Sequence, residues 1–270
     1  MRKLLLLLGA FALIGCGTKE SPVSDAEAER IIKGAVHIDD VAKLTSIAVE
    51  TSSVPKSYSG WAKQIYESGE VKLLLQVEDG VFQGIWTSWH QNGQKKEEAT
   101  YKDGKPDGPA LWWHENGQKH LELTYKDGVW DGLVTGWDED GQKRETPYKN
   151  GESDGLSTYW DKEGRKKMEV TYKDGKQNGP MTSWHENGQK HTEGNFKDDK
   201  QHEVWTSWYD SGQKKIEGRF KDGNLAGLKV TWRANGQKMG EATYKDGELI
   251  SEKWWNAKGE EVEAREEAEE

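Results

Sequence analysis

One heptapeptide occurs twice intact in this chain and marks a unit that repeats along most of it. The heptapeptide, WHENGQK, stands at residues 113–119 and 184–190. Its glycine recurs every 23 or 24 residues, at Gly69, Gly93, Gly117, Gly141, Gly164, Gly188, Gly212, Gly236 and Gly259. A fixed period of this length indicates one supersecondary unit stacked on copies of itself, each in contact chiefly with its neighbours. The spacing therefore predicts a repeat array and not one or two conventional domains.

Composition favours the same architecture. Only 33% of the 270 residues are hydrophobic, while the chain contains 31 glycines and 14 tryptophans. This is thin for a thick core but adequate for a sheet with one apolar face. The net charge is −10, with both signs mixed along the chain, and no basic stripe of the kind that binds nucleic acid is visible. The sequence therefore predicts no nucleic-acid partner.

A single repeat has the pattern of a β-hairpin. In residues 84–108, an aromatic and β-branched segment at 85–90 is followed by Asn92-Gly93 and a return segment at 94–101. Asn-Gly is a strong signal for a type I′ hairpin turn, which needs positive φ at both central residues. The predicted fold class is all-β: an elongated antiparallel sheet of about eight or nine stacked hairpins. Departures from the pattern are Asp199 and Glu203 at glycine positions and Pro147 in a shortened return strand, where a bulge or bend is expected.

The return strands alternate with a period of two. Leu121, Leu123 and Tyr125 show this in one repeat, with lysine and glutamate between the apolar residues. Because successive side chains of a strand point to opposite faces, the apolar residues are predicted to share one face and the charged ones to face water.

Eight tryptophans occupy one position of the repeat, four residues before the anchor glycine. A buried indole contributes about 150–250 Å² of apolar contact, so this column is predicted to be the structural core of the array. Its members are Trp89, Trp113, Trp137, Trp160, Trp184, Trp208, Trp232 and Trp255.

Other tryptophans lie on the first strands but outside this column. Alternation places Trp86, Trp112 and Trp205 on the opposite face, where exposed rings can anchor a partner protein. The other interpretation is that they pack inside a strongly twisted sheet. Both remain open, and these three residues are the predicted partner-binding site.

No catalytic or cofactor site is predicted. His90, His114 and His185 share the position before the turn, but neighbouring repeats have Asp138, Asp161, Tyr209 or Arg233 there, and Zn²⁺ needs three or four converging ligands. Asp-Gly pairs are explained by turn geometry without Ca²⁺. Recurring threonines and serines have no unique histidine and aspartate companions. We therefore expect no metal, no cofactor and no enzymatic activity.

The first residues predict an export signal with a lipid attachment site. Residues 1–15 combine a basic start with eleven apolar residues at 4–14, too few to span a bilayer. Residues 13–16, LIGC, resemble a bacterial lipobox, which makes Cys16 the lipidated residue. Residues 16–59 are predicted to be a tether with an amphipathic helix at about 24–46, and residues 260–270 an acidic C-terminal tail. The expected location is the cell membrane, or the outer membrane in an organism that has one.

The repeat motif, read as G-x₄-W-H-x-N-G-Q-K-x₂-E-x₂-Y-K-D-G-K-x-[DN]-G, resembles the MORN-repeat variant of bacterial proteins often labelled antitoxin components. The resemblance covers residues 60–259. It implies a hairpin scaffold for protein contacts, so the predicted function is a lipid-anchored envelope scaffold that binds an unidentified protein. An immunity or antitoxin role outside the cytoplasm is a special case. The alternative is a module that binds cell-wall glycan through exposed aromatic rings.

Overall fold

The computed structural model describes residues 36–37 and 58–269, and within them the chain is almost entirely β-strand. The fold divides between Glu139 and Asp140 into two compact units. From Gly60 onward the strands of each unit form an antiparallel meander. In each unit one strand is interrupted, and its two pieces, 129–130 and 132–137 or 152–153 and 155–160, pair with the same preceding strand. The predicted all-β hairpin array is confirmed.

The described residues of the first unit form nine strands. In chain order they are β1 (Val36–His37), β2 (Gly60–Ile65), β3 (Val71–Glu78), β4 (Val81–Trp89), β5 (Lys95–Lys102), β6 (Lys105–Trp113), β7 (Lys119–Lys126), β8 (Val129–Trp130) and β9 (Gly132–Trp137). β1 pairs in parallel with β2, through Val36 opposite Ala62.

The second unit contains twelve strands and one short helix. They are β10 (Lys143–Lys149), β11 (Glu152–Ser153), β12 (Gly155–Trp160), β13 (Lys166–Lys173), β14 (Lys176–Trp184), β15 (Lys190–Lys197), β16 (Lys200–Trp208), β17 (Lys214–Lys221), β18 (Asn224–Trp232), β19 (Lys238–Lys245), β20 (Glu248–Trp255), β21 (Glu261–Val262) and α1 (Arg265–Glu269).

Two kinds of turn alternate along the chain, and the type I′ prediction was assigned to the wrong one. At Asn92-Gly93 only the glycine has positive φ, 83°, and its N–H donates to the His90 carbonyl over 2.9 Å. This is a longer loop with glycine in the left-handed position and a register shift at Trp89. Positive φ at both central residues occurs instead at Asp103 (51°) and Gly104 (78°). Asparagine is favoured in the first loop because its side-chain oxygen accepts from the Gln94 N–H at 3.0 Å.

A further left-handed residue lies in most first strands, where the ladder shifts register. Gly108 (φ 117°) and Gly179 (φ 119°) occupy this position, and a Cβ on either would press on the Cβ of a threonine in the preceding return strand at 3.2 Å. Glu203 holds the equivalent place at φ 61°, and Asp199 replaces the turn glycine at φ 64°. Glu203 and Asp199 therefore keep the left-handed backbone of the repeat. This conformation costs a residue other than glycine about 1 kcal/mol or more.

The shortened return strand β10, which contains Pro147, differs from the other return strands in its pairing register. In the other repeats, the return-strand residue that pairs with the one before the next column tryptophan lies four residues after the anchor glycine, as Met168 pairs with Ser183. In β10 that residue is Arg144, three residues after Gly141, which pairs with Tyr159, so the missing residue advances the register by one. Near the proline, pairing passes from β12 to β11, and the Pro147 carbonyl accepts from the Asp154 N–H at 2.9 Å. The partner strand is interrupted here, but β8 and β9 show the same interruption opposite β7, which contains no proline.

The ends of the chain differ from the sequence prediction. Most of the predicted helix at about 24–46, the signal and Cys16 lie outside the described residues, while Val36 and His37, inside that helix, are in a strand. The segment predicted as an acidic tail packs on the sheet through β21 and α1, and the Ala268 side chain is completely buried. Among the described residues, no helix has the length and apolar character needed to cross a membrane.

Candidate interaction surface

Each sheet presents two faces with different chemistry. Cross-strand partners share a face, so the register assigns every side chain. One face, here called the Leu–Tyr face, carries Leu73, Leu75 and Val77 of β3 and the equivalent residues of later return strands. The other, the Trp–Lys face, carries the tryptophan column together with the lysine and glutamate of the return strands. The alternation expected from the sequence is therefore present.

The three tryptophans predicted to bind a partner all lie on the Leu–Tyr face, where they contact the return strands. Trp86 lies 5.7 Å from the Phe82 ring and 5.6 Å from the Tyr101 ring, centroid to centroid. Trp112 is half-buried opposite Leu121. Trp205 is only 8% exposed. For this residue the packing interpretation is correct, whereas a partner-binding role of Trp86 and Trp112 stays a prediction.

Trp205 is buried because glycine leaves room for its ring. A Cβ on Gly194 would overlap the indole, which also meets Phe196 edge-on at 4.9 Å. The indole N–H donates to the Asn195 carbonyl at 3.0 Å. On the Leu–Tyr face of the first unit, burial raises the pKa of Glu97, which pairs across the ladder with Trp112. The Leu–Tyr face is thus closely packed wherever large rings occur.

The Trp–Lys face carries a repeated set of three side chains. In seven repeats the lysine two residues after the anchor glycine lies over the indole of the following repeat. It pairs with the glutamate three residues further along, except that Lys143 of the shortened strand pairs with Glu145. In the first unit the ammonium-to-ring distance is 5.6 Å for both Lys95–Trp113 and Lys119–Trp137. In the second unit it ranges from 4.8 to 6.0 Å, for Lys143–Trp160, Lys166–Trp184, Lys190–Trp208, Lys214–Trp232 and Lys238–Trp255.

These lysines and glutamates were predicted to face water. The side chains of Lys190 and Glu193 are 48% and 46% exposed, in agreement with that prediction, although the lysine also lies over an indole. Lys190 Nζ lies 2.9 Å from Glu193, and Lys95 and Glu98 are only 13% and 16% exposed. The first repeat shows why the pair is present. There Val71 and Leu74 stand in place of lysine and glutamate, and Trp89 beneath them is 2% exposed. The charged pairs cover the other seven indoles less completely, which leaves those indoles half-buried.

A second connection between repeats runs along the turns. In six repeats the residue three positions before the anchor glycine reaches the carbonyl of the tryptophan in the next repeat. The His90 Nε2 lies 2.9 Å from Trp113 O, and the Tyr209 hydroxyl donates to Trp232 O at 2.9 Å. The Asn187 side-chain amide donates to Asp210 O at 2.6 Å. The histidines considered as a metal ladder therefore serve first as links between hairpins.

The Trp–Lys face also exposes one aliphatic residue per first strand, directly after the left-handed position. In the second unit these are Leu156 (49% exposed), Val204 (40%) and Leu228 (51%), with exposed Pro180 between the first two. In the first unit they are Ile85, Pro109 and Leu133. We call these residues the aliphatic stripe. The charged pairs of the same face flank it, as a polar rim flanks the apolar centre of a protein interface.

Comparison with known families agrees with the geometry. Four segments, 82–103, 106–127, 177–198 and 204–222, match the model of the MORN repeat variant. The chain is a MORN repeat variant protein. Each matched segment coincides with a first strand, its turn and its return strand, as in β4–β5 and β16–β17. No curated protein gives a significant match to this sequence.

The MORN repeats extend beyond the four matched segments. β18 and β19 have the same turn hydrogen bond, Gly236 N–H to Arg233 O at 2.9 Å, and the same Lys238 over the next indole. A family of this kind supplies a repeat scaffold, frequently for contacts with proteins or membranes.

The lysine over each indole is expected to stabilise the array. Lys190→Met removes one cation–π contact, worth about 0.5–1 kcal/mol at exposed sites, and one ion pair worth about 0.2–1 kcal/mol. The expected loss is about 1 kcal/mol in the free energy of unfolding measured with urea, and part of it disappears in 1 M salt, where ion pairs are screened.

Lys197→Met is the matched control, because Lys197 ends the same strand, is exposed and lies over no ring among the described residues. Equal losses for the two variants would contradict a specific role for Lys190.

Proposed function

We propose that this MORN repeat variant protein is a lipid-anchored scaffold of the cell envelope that binds another protein and catalyses no reaction. Two independent features support the proposal. The leader and Cys16 support export and anchorage, and the aliphatic stripe supports a protein contact. The stripe is the observation that carries the function, because a rigid sheet holds the exposed side chains one repeat apart.

The aliphatic stripe suits a protein partner better than a sugar. Exposed aliphatic residues that recur on one face bury apolar area when a partner covers them, at about 25 cal/mol per Å². Sugar rings stack on flat aromatic faces, whereas the seven half-buried indoles of the Trp–Lys face have a lysine over the ring. A toxin that acts outside the cytoplasm is one partner class compatible with the proposed location.

The anchor is tested first. In cells producing Cys16→Ala, the protein is expected to move from the membrane fraction to the soluble or secreted fraction, since stable attachment needs acyl chains that only Cys16 can carry. Metabolic labelling with a palmitate analogue should mark the wild-type protein and not the variant. Membrane fractionation and labelling that are unchanged in Cys16→Ala would refute lipidation at this residue.

The binding face is tested by photo-crosslinking in intact cells. A benzophenone amino acid at position 228 projects from the Trp–Lys face, and one at position 229 projects from the other face, because neighbouring residues of β18 alternate. We expect a protein adduct from position 228 and none from position 229. The triple variant L156T/V204T/L228T should lower the yield of an adduct formed from position 180 at least tenfold.

Ile250→Thr is the matched control for that variant, since Ile250 is 60% exposed but lies outside the stripe. An adduct from position 229 alone would move the site to the face of Trp86 and Trp112. Binding to purified cell wall, without any protein adduct, would favour the glycan alternative.

A further inference from the structure

Side chains on the two sides of the Asn-Gly turn meet in a regular way. The residue before the turn lies against the third residue after the anchor glycine. Lys72 is 5.8 Å above the Tyr66 ring, and Lys215 is 5.4 Å above the Tyr209 ring. In two repeats both partners are histidines. The ring centroids are 4.4 Å apart for His114 and His120, and 4.5 Å apart for His185 and His191.

At the first pair, three polar atoms form a nearly equilateral triangle. His114 Nε2 lies 3.2 Å from His120 Nδ1 and 3.0 Å from the Trp137 carbonyl oxygen, and that oxygen lies 3.3 Å from His120 Nδ1. Two imidazole nitrogens bound tetrahedrally to one zinc ion at 2.0–2.1 Å are about 3.3 Å apart. The separation of the two nitrogens is therefore that of two ligands of a single metal ion.

The surroundings of His114 suit metal ligation as well. Its other nitrogen, Nδ1, lies 4.0 Å from a Glu139 carboxylate oxygen. Histidines that bind a metal through one nitrogen usually donate the other N–H to a carboxylate or carbonyl, which fixes the ring and its tautomer. When Nε2 binds a metal, the proton of neutral His114 moves to Nδ1, facing Glu139, and no proton is lost overall.

We propose that His114, His120 and the Trp137 carbonyl form a surface site for a divalent transition-metal ion of the Zn²⁺, Ni²⁺ or Cu²⁺ class. Imidazole is a preferred ligand of all three ions. Among the described residues no three side chains of histidine, cysteine, aspartate or glutamate converge, so the third protein ligand is the main-chain oxygen and water completes the shell. The sequence pattern aligns histidines along the turn column, whereas His114 and His120 meet across one turn, so the pattern gives no sign of this pair.

The second histidine pair provides an internal comparison. His185 Nε2 lies 3.0 Å from the Trp208 carbonyl oxygen, but His191 Nδ1 faces the Ser183 hydroxyl at 3.5 Å. The pKa of His191 is lowered, first by burial and then by the charges of His185 and Lys215. A divalent cation therefore meets a less converged ligand set beside an existing positive charge, and this pair binds it more weakly.

The test is calorimetric titration of the full chain, purified in detergent without a histidine tag, with ZnCl₂ and separately with NiCl₂. Wild type is expected to bind one equivalent with micromolar affinity. His120→Lys should weaken that equivalent at least tenfold, while His191→Lys leaves it unchanged. Absorption of bound Co²⁺ gives a second readout, with nitrogen-ligand bands present in wild type and His191→Lys and absent in His120→Lys.

Lysine is a compatible replacement because Lys72, Lys96 and Lys215 occupy the same position in other repeats. The double variant H114Y/H120K recreates the Tyr209–Lys215 pair of another repeat. When its urea midpoint matches that of wild type, loss of metal binding in this variant cannot be a folding defect. The proposal is overturned if His120→Lys retains the tight equivalent, if His191→Lys loses it, or if wild type shows no saturable binding below 1 mM metal.

Discussion

The stacking of each indole against the lysine and glutamate of the preceding hairpin is the contact on which this array depends. A lone two-stranded hairpin is marginal in water, and here each one has too few apolar residues to form a core. The first repeat shows that the indole requires apolar cover from the preceding return strand. Val71 and Leu74 cover Trp89 with apolar side chains, and every later repeat fills the same place with the alkyl stems of a lysine and a glutamate. The hydrophobic contact is thereby kept while the surface stays charged, which is how a chain that is only 33% hydrophobic supports a long series of strands.

The two faces of the sheet differ in how closely their side chains are packed. On the Leu–Tyr face, Trp205 fills the space that Gly194 leaves, and Trp86 packs against the rings of Phe82 and Tyr101. The Trp–Lys face instead leaves its aliphatic stripe in solvent between charged pairs. Links through the turns, such as His90 to Trp113 O, hold neighbouring hairpins in one register. Because the residues of the stripe are one repeat apart, a single partner can contact several of them at once.

The sequence predicted the hairpins, their spacing and the separation of the two tryptophan sets, because period and alternation are direct consequences of strand geometry. It misassigned the type I′ turn, since Asn-Gly and Asp-Gly are both turn signals and only the backbone angles distinguish them. It did not show that the stem of a lysine such as Lys95 covers an indole, because polarity alone gives no such indication. The pairing of His114 with His120 depends on a register shift beside the turn, and their spacing of six residues gives no such indication.

Native-state hydrogen exchange on Trp208→Ala, followed by mass spectrometry, tests the stacking account most directly. Removing the Trp208 indole takes away the surface that Lys190 covers. The account predicts that amide protection falls in β14 to β17, the strands of the two hairpins in contact with that ring, and stays unchanged in β3 to β5 of the other unit. Protection that falls equally in every strand, or that stays at the wild-type level in β15 and β16, would contradict it.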